Sequence, residues 1–159
     1  MPKQHSIIGL DEKLSVELGK ELNQLLSNYQ VFYQNLRGFH WNIKGKEFFE
    51  LHAKFEELYN DAVLKIDEIA ERILTLGSTP LHSFTDFLGQ AEIKEAKNVT
   101  EGKKAVTNIL ENLAILIKKE RKILALSGEA DDEGTNSLMS DYIKEQEKLA
   151  WMLNSYLNE

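Results

Sequence analysis

Four residues on one segment have the types and spacing to hold a metal ion. His52 and Glu56 stand four positions apart, and so do Asp67 and Glu71. Residues four apart on a helix share a face, so each pair would present two donor atoms together. A nitrogen-plus-carboxylate set suits iron, manganese or zinc. The two pairs begin 15 residues apart (67 − 52), which is about 22 Å along a helix. They cannot reach one ion within a single chain. A second copy of the helix, crossing antiparallel about a two-fold axis, would bring His52 and Glu56 of one chain against Asp67 and Glu71 of the other. This geometry predicts two equivalent sites per dimer, both at the interface.

Plotted at about 100° per residue, the segment has three faces. Leu51, Phe55, Leu58, Ala62, Ile66, Ile69 and Ile73 cluster within roughly 80° and form the expected core stripe. A second face, centred roughly 120° away, mixes the four candidate ligands with Tyr59, Val63, Ala70 and Leu74. These apolar residues would seal the contact with a partner helix. The third face is wholly polar: Lys54, Glu57, Asp61, Lys65, Glu68 and Arg72. A plainer reading competes for the mixed face. Charged residues at i, i+4 usually form a solvated surface, and a lone histidine is more often a surface or capping residue than a ligand. A di-iron centre inside a helix bundle needs Glu-x-x-His motifs pointing inward. Pro2, Arg37, Phe49 and Thr79 stand three positions before the four histidines, so bound iron is expected outside the bundle's own core.

The elements that must position these residues are helices. The chain has only two prolines, and a period near 3.6 dominates. Leu14, Leu18, Leu22, Leu25, Tyr29, Phe32 and Leu36 mark a first helix over about residues 10–39, with Gly45 in the break after it. The second is expected over about 47–76, closed by Gly77 and Ser78-Thr79-Pro80. The third is expected over about 100–127, with Thr100 as N-cap and Gly128 as stop; Val106, Leu110, Leu113, Ile117 and Leu124 line its inner face. The fourth is expected over about 134–157, with Leu138, Tyr142, Leu149, Met152 and Tyr156 inward. A structureless connection over 80–99 would be unusually long, so Ser83–Gln90 is expected to form a short helix. One long middle connection predicts an all-α, ferritin-like four-helix bundle with that extra helix between helices two and three.

At 159 residues the chain suits a single domain, with a short N-terminal tail over about 1–9. It has no cysteine, which excludes disulfides and thiolate metal sites. The first residues lack a signal-peptide pattern, and no apolar run approaches the ~20 residues of a membrane span; a cytoplasmic protein is expected. The net charge of −7 concentrates cations and repels phosphate backbones.

The run Phe39-His40-Trp41-Asn42, then Gly45, Phe48 or Phe49, Leu51-His52, Phe55 and Tyr59, then Asp67, Ala70-Glu71-Arg72 and Leu76-Gly77, resembles the signature of the Dps family (DNA-binding protein from starved cells). Gln146-Glu147-Lys148 with Trp151 and the short central helix extend the likeness over nearly the whole chain. The resemblance implies a hollow dodecamer that oxidises Fe(II), preferably with hydrogen peroxide, and stores ferric mineral, protecting against oxidative stress. It implies His40, His52 and Glu56 as ligands from one subunit, with Asp67 and Glu71 from its two-fold mate; zinc or manganese are alternatives to iron. Glu56 stands where the family often has aspartate. Trp41 would sit beside the site as an electron donor to incompletely reduced peroxide, or as a packed aromatic. Glu57 and Asp61 are candidates to nucleate mineral. The acidic stretch over 128–135 falls at the family's three-fold pores, with Asp132 as the candidate pore residue, although Ser137 replaces a common aspartate and acids also cap helices there.

The alternative function is a DNA-binding, nucleoid-protecting particle. That needs basic tails, whereas here Lys3 and Lys13 are offset by Asp11 and Glu12, and the chain ends in Leu157-Asn158-Glu159. DNA binding is expected to be weak or absent. A helical structural protein with incidental histidines and carboxylates is the third reading.

Overall fold

The computed structural model describes residues 6–158. Lys3 and the first five positions of the expected tail lie outside the described residues. Five helices follow in order: α1 Glu12–Asn42, α2 Phe48–Thr75, α3 Phe84–Gln90, α4 Gly102–Glu129 and α5 Glu133–Leu157. No strand occurs among the described residues, and no helix is long and apolar enough to cross a membrane.

Local chemistry explains most of the boundaries. The Asp11 carboxylate accepts from the backbone N–H of Leu14 at 3.0 Å and caps α1. After α2, Gly77 takes the left-handed conformation (φ +89°). There the N–H of Ser78 donates to the carbonyl of Ile73 and that of Gly77 to Leu74, a Schellman closure. Gly128 does not end α4 as expected. The helix runs to Glu129, and Asp131 supplies the left-handed residue instead (φ +54°). The N–H groups of Asp131 and Asp132 close onto the carbonyls of Gly128 and Ser127. The N-cap of α4 is Glu101, not Thr100.

Helices α1 and α2 form one hairpin, and α4 and α5 the other. The N–H of Lys44 donates to the carbonyl of Thr100 at 2.9 Å, so α4 begins beside the start of α2 and the middle connection must travel the length of the bundle. Three asparagines of α1 strap it down. Asn23 accepts from the N–H of Leu81, Asn28 from those of Glu92 and Ile93, and Asn35 from that of Ala96. Each replaces the water that the connection's backbone loses on packing. Ser83 caps α3 as the expected short helix requires.

The core stripe of α2 is buried as expected, with Ile66 only partly covered. On α4, Val106 and Leu113 are buried as expected while Leu110, Ile117 and Leu124 are only partly covered; on α5, Tyr142 is buried as expected and Leu138, Leu149 and Tyr156 are partly covered. Ile109, Leu116 and Ile123 take the centre of α4, while Met139, Tyr142, Ile143, Gln146 and Leu153 take that of α5, leaving Met152 exposed. Polar residues (Asn112, Glu120, Ser127, Thr135, Gln146) sit inside those stripes, which is why apolar spacing alone traced them only in part.

Candidate metal centre on the second helix

The turn through Gly45 (φ +115°) folds the start of α2 back on the end of α1. It places two histidines twelve residues apart face to face. The rings of His40 and His52 stack with centroids 3.7 Å apart and planes 13° from parallel, and Phe48 covers the other side of His52 at 5.0 Å. The Nδ1 of His40 lies 2.7 Å from the carbonyl oxygen of His52, and the Nδ1 of His52 lies 2.7 Å from that of His40. A carbonyl oxygen only accepts, so each Nδ1 donates. In the neutral ring the lone pair then sits on Nε2. This reciprocal exchange also satisfies the carbonyl of His40, which the end of α1 would leave without a helical partner. Both imidazoles are thus held in the tautomer a metal requires, each by the backbone of the other.

The carboxylates that would join them lie along the same face of α2. Glu56 is exposed, and the Tyr59 hydroxyl donates to it at 3.4 Å. Desolvation, followed by the nearby charge and hydrogen bond of Glu56, raises the Tyr59 phenol above its ordinary range. Asp67 and Glu71 are exposed, and among the described residues neither carboxylate has an ion-pair or hydrogen-bond partner. Within one chain no three histidine or acidic side chains converge on a cation-sized space among the described residues. Val63 and Leu74 stand exposed among these ligands. The donor set fits a borderline to hard transition metal: imidazole nitrogen and carboxylate oxygen, with no thiolate.

Trp41 follows His40 in the chain. It is exposed, with the Arg37 guanidinium 4.7 Å over its ring.

The polar face of α2 is partly buried against α5. Lys65 is only 4% exposed, and its ammonium donates to Asp61 (2.7 and 2.9 Å) and to Glu145 of α5 (2.9 Å). Burial alone would lower its pKa, but those two carboxylates raise it above the ordinary lysine value. Glu57 pairs with Lys54 at 2.9 Å. A nucleating acid needs a carboxylate with free charge, and the structure pairs both Glu57 and Asp61. Asp132 requires a correction. It is 1% exposed in the isolated chain, and assembly only removes exposure, so its carboxylate cannot line a pore. Instead it caps α5 through the N–H of Thr135 and takes a 2.6 Å hydrogen bond from Arg72. The exposed acids of that corner are Glu129, Asp131 and Glu133.

The bundle interior holds a polar cluster that no spacing argument found. The Tyr29 hydroxyl donates to Glu120 at 2.6 Å, and the Gln146 amide donates to the same hydroxyl. Burial pushes the Glu120 carboxyl up to about 7, against the lowering hydrogen bonds of Tyr29 and Gln146. The Lys65 ammonium sits 5.1 Å over the Tyr142 ring beside this cluster. With one buried carboxylate and a fixed cation alongside, the interior favours a proton over a metal ion.

Comparison with known proteins agrees with this architecture. A family model described as a ferritin-like domain matches residues 19–159. A DNA protection during starvation protein from Porphyromonas gingivalis is 46% identical, covering 98% of each chain. The crystal structure of a Dps protein from Vibrio cholerae O1 superposes with a TM-score of 0.96 at 56% identity, covering 99% of each chain; its description places that protein in a broad superfamily of ferritin-like diiron-carboxylate proteins. The chain belongs to the Dps family. Another similar Dps structure, from Listeria innocua at 25% identity and TM-score 0.86 over 89% of this chain and 95% of that one, is of a variant with two histidines replaced by glycine, twelve positions apart. His40 and His52 have that separation. The all-α bundle and its extra helix are those expected of the family.

Proposed function

We propose that this Dps-family chain is a mini-ferritin that oxidises Fe(II), preferably with hydrogen peroxide, at sites split between two subunits, and stores the ferric product in a cytoplasmic dodecamer. The observation that carries this reading is the His40–His52 exchange. It leaves Nε2 as the unused nitrogen of both rings, with His52 on the α2 face that also holds the exposed carboxylates of Glu56, Asp67 and Glu71. Iron is the substrate here. His40, His52 and Glu56 would bind it from one chain, and Asp67 and Glu71 from the mate. Two ferrous ions each give one electron to peroxide; its O–O bond breaks, and two protons complete two waters. Carboxylate charge favours the more highly charged ferric product. The exposed Val63 and Leu74 would exclude water from the same interface. Zinc and manganese fit the donor set and would compete with iron.

Protection against oxidative stress follows, because ferrous iron and peroxide are consumed together. DNA binding is expected to be weak at physiological salt, since twelve copies of a chain at −7 make an acidic particle.

Complementation tests the split site. His52→Ala and Asp67→Ala are each expected to abolish fast oxidation. In a randomly reassembled mixture, half the dimers are mixed, and each mixed dimer has one intact site of two. About a quarter of wild-type activity should return. Sites contained in single chains would restore none.

A further inference from the structure

Tyr33, Arg37 and Trp41 recur every four residues on one face of α1. The Arg37 guanidinium lies 4.7 Å from the Trp41 ring centre, 5.5 Å from that of Tyr33 and 5.9 Å from that of Tyr59 on α2. It also donates to the Tyr33 hydroxyl at 3.4 Å. Three rings and a hydroxyl therefore hold a permanent cation against an exposed indole. The second indole, Trp151, is 65% exposed against 56% for Trp41, and no cation lies over it among the described residues. In the isolated chain the two tryptophans therefore have similar accessibility and different electrostatic surroundings.

A cation over an indole acts in opposite senses before and after oxidation. The neutral ring attracts the guanidinium through its negative face. A ring that has lost an electron is itself a cation, so the attraction is lost and like charges repel at short range. We propose that Arg37 is a positioning residue that protects Trp41 from one-electron oxidation. This reverses the donor role that the family resemblance suggested for Trp41.

The inference rests on the proposed ferrous–peroxide chemistry for its oxidant. When a single ferrous ion reaches peroxide, one electron breaks the O–O bond and leaves hydroxide and a hydroxyl radical. That radical takes one electron from an indole to become a second hydroxide, leaving the indole radical cation. Arg37 disfavours that last step at Trp41, and nothing comparable does so at Trp151.

The test uses the whole assembled protein without iron. Azide radicals generated by radiolysis at pH 7 serve as the one-electron oxidant, and mass spectrometry measures oxidised Trp41 and Trp151 separately. Arg37→Met keeps the bulk over the ring and removes the charge; Arg37→Lys keeps a charge. Arg37→Met should raise Trp41 oxidation about tenfold, with Trp151 unchanged as internal control and Arg37→Lys close to wild type. Unchanged Trp41 oxidation in Arg37→Met would overturn the proposal. So would an equal rise in Arg37→Lys, because shielding by bulk would then be the cause. Repeating the comparison with Fe(II) and peroxide separates the two readings. Success with azide but no Trp41 oxidation in either variant with iron would leave the Arg37 effect standing and mean that paired reduction releases no radical to the indole; failure of the ferrous–peroxide reading would show instead as no peroxide-dependent Fe(II) oxidation.

Discussion

Two faces of α2 both carry carboxylates and place them in opposite surroundings. The polar face places Lys65 and Arg72 under α5, where Lys65 meets Asp61 and Glu145 and Arg72 meets Asp132, and it pairs Lys54 with Glu57. Its charges are spent on folding. The mixed face leaves Glu56, Asp67 and Glu71 without cationic partners among the described residues and exposes Val63 and Leu74 among them. Unpaired carboxylates next to bare apolar side chains add nothing to the stability of the isolated chain. They are suited to a partner and an ion that arrive later. Charge content does not distinguish a structural face from a reactive one; the presence of counter-charges does.

The contrast can be broken most sharply on the mixed face. Asp67→Ala should reduce the rate of ferrous oxidation by at least about a hundredfold, while circular dichroism and melting temperature stay at wild-type values. A large loss of stability would show that Asp67 belongs to the folding set. On the polar face the order should reverse. Arg72→Met strands the Asp132 carboxylate inside the protein and should cost about 3 kcal/mol of unfolding free energy in urea. Site occupancy by iron should survive wherever the fold does.

The interior next to Lys65 sharpens the comparison through pH. Glu120 titrates near 7 in the folded chain against an ordinary 4.5, so the folded state holds its proton more tightly. Stability from this group is present at low pH and is lost as pH rises from about 4.5 through 7, up to about 3 kcal/mol. Glu120→Gln should flatten that decline in melting temperature between pH 5 and 8. An unchanged slope would assign the pH dependence to other groups. The smallest effect belongs to Glu57→Gln. Its pair with Lys54 is exposed on both sides, so stability should change by less than about 0.5 kcal/mol and initial oxidation rates not at all. A slowed rate would mean that this face also handles iron.

Much of the candidate site was legible because it depends on a single helix. The spacings of His52 with Glu56 and Asp67 with Glu71, read against the core stripe, identified the face that the structure leaves unpaired. His40 was not reachable by spacing. Its relation to His52 crosses a turn, and only the family resemblance named it. Lys65 and Arg72 were legible only as members of a wholly polar face, because their partners Glu145 and Asp132 lie 80 and 60 residues away. The inner faces of α4 and α5 were read only in part (Val106, Leu113 and Tyr142 are buried as expected), because Asn112, Glu120, Thr135 and Gln146 look like surface residues until Tyr29 and its neighbours are placed beside them.

The amino-acid order alone determined the helices, the place of the extra helix and the face of α2 that carries the candidate ligands. Periodicity, capping and the reach of a rigid helix are properties of residues within a few turns of one another. The tertiary fold decided which acids would be neutralised, which carboxyl would keep its proton, and which nitrogen of each histidine would carry the lone pair. Those outcomes depend on counter-charges, desolvation and carbonyl partners that distant segments bring to the site.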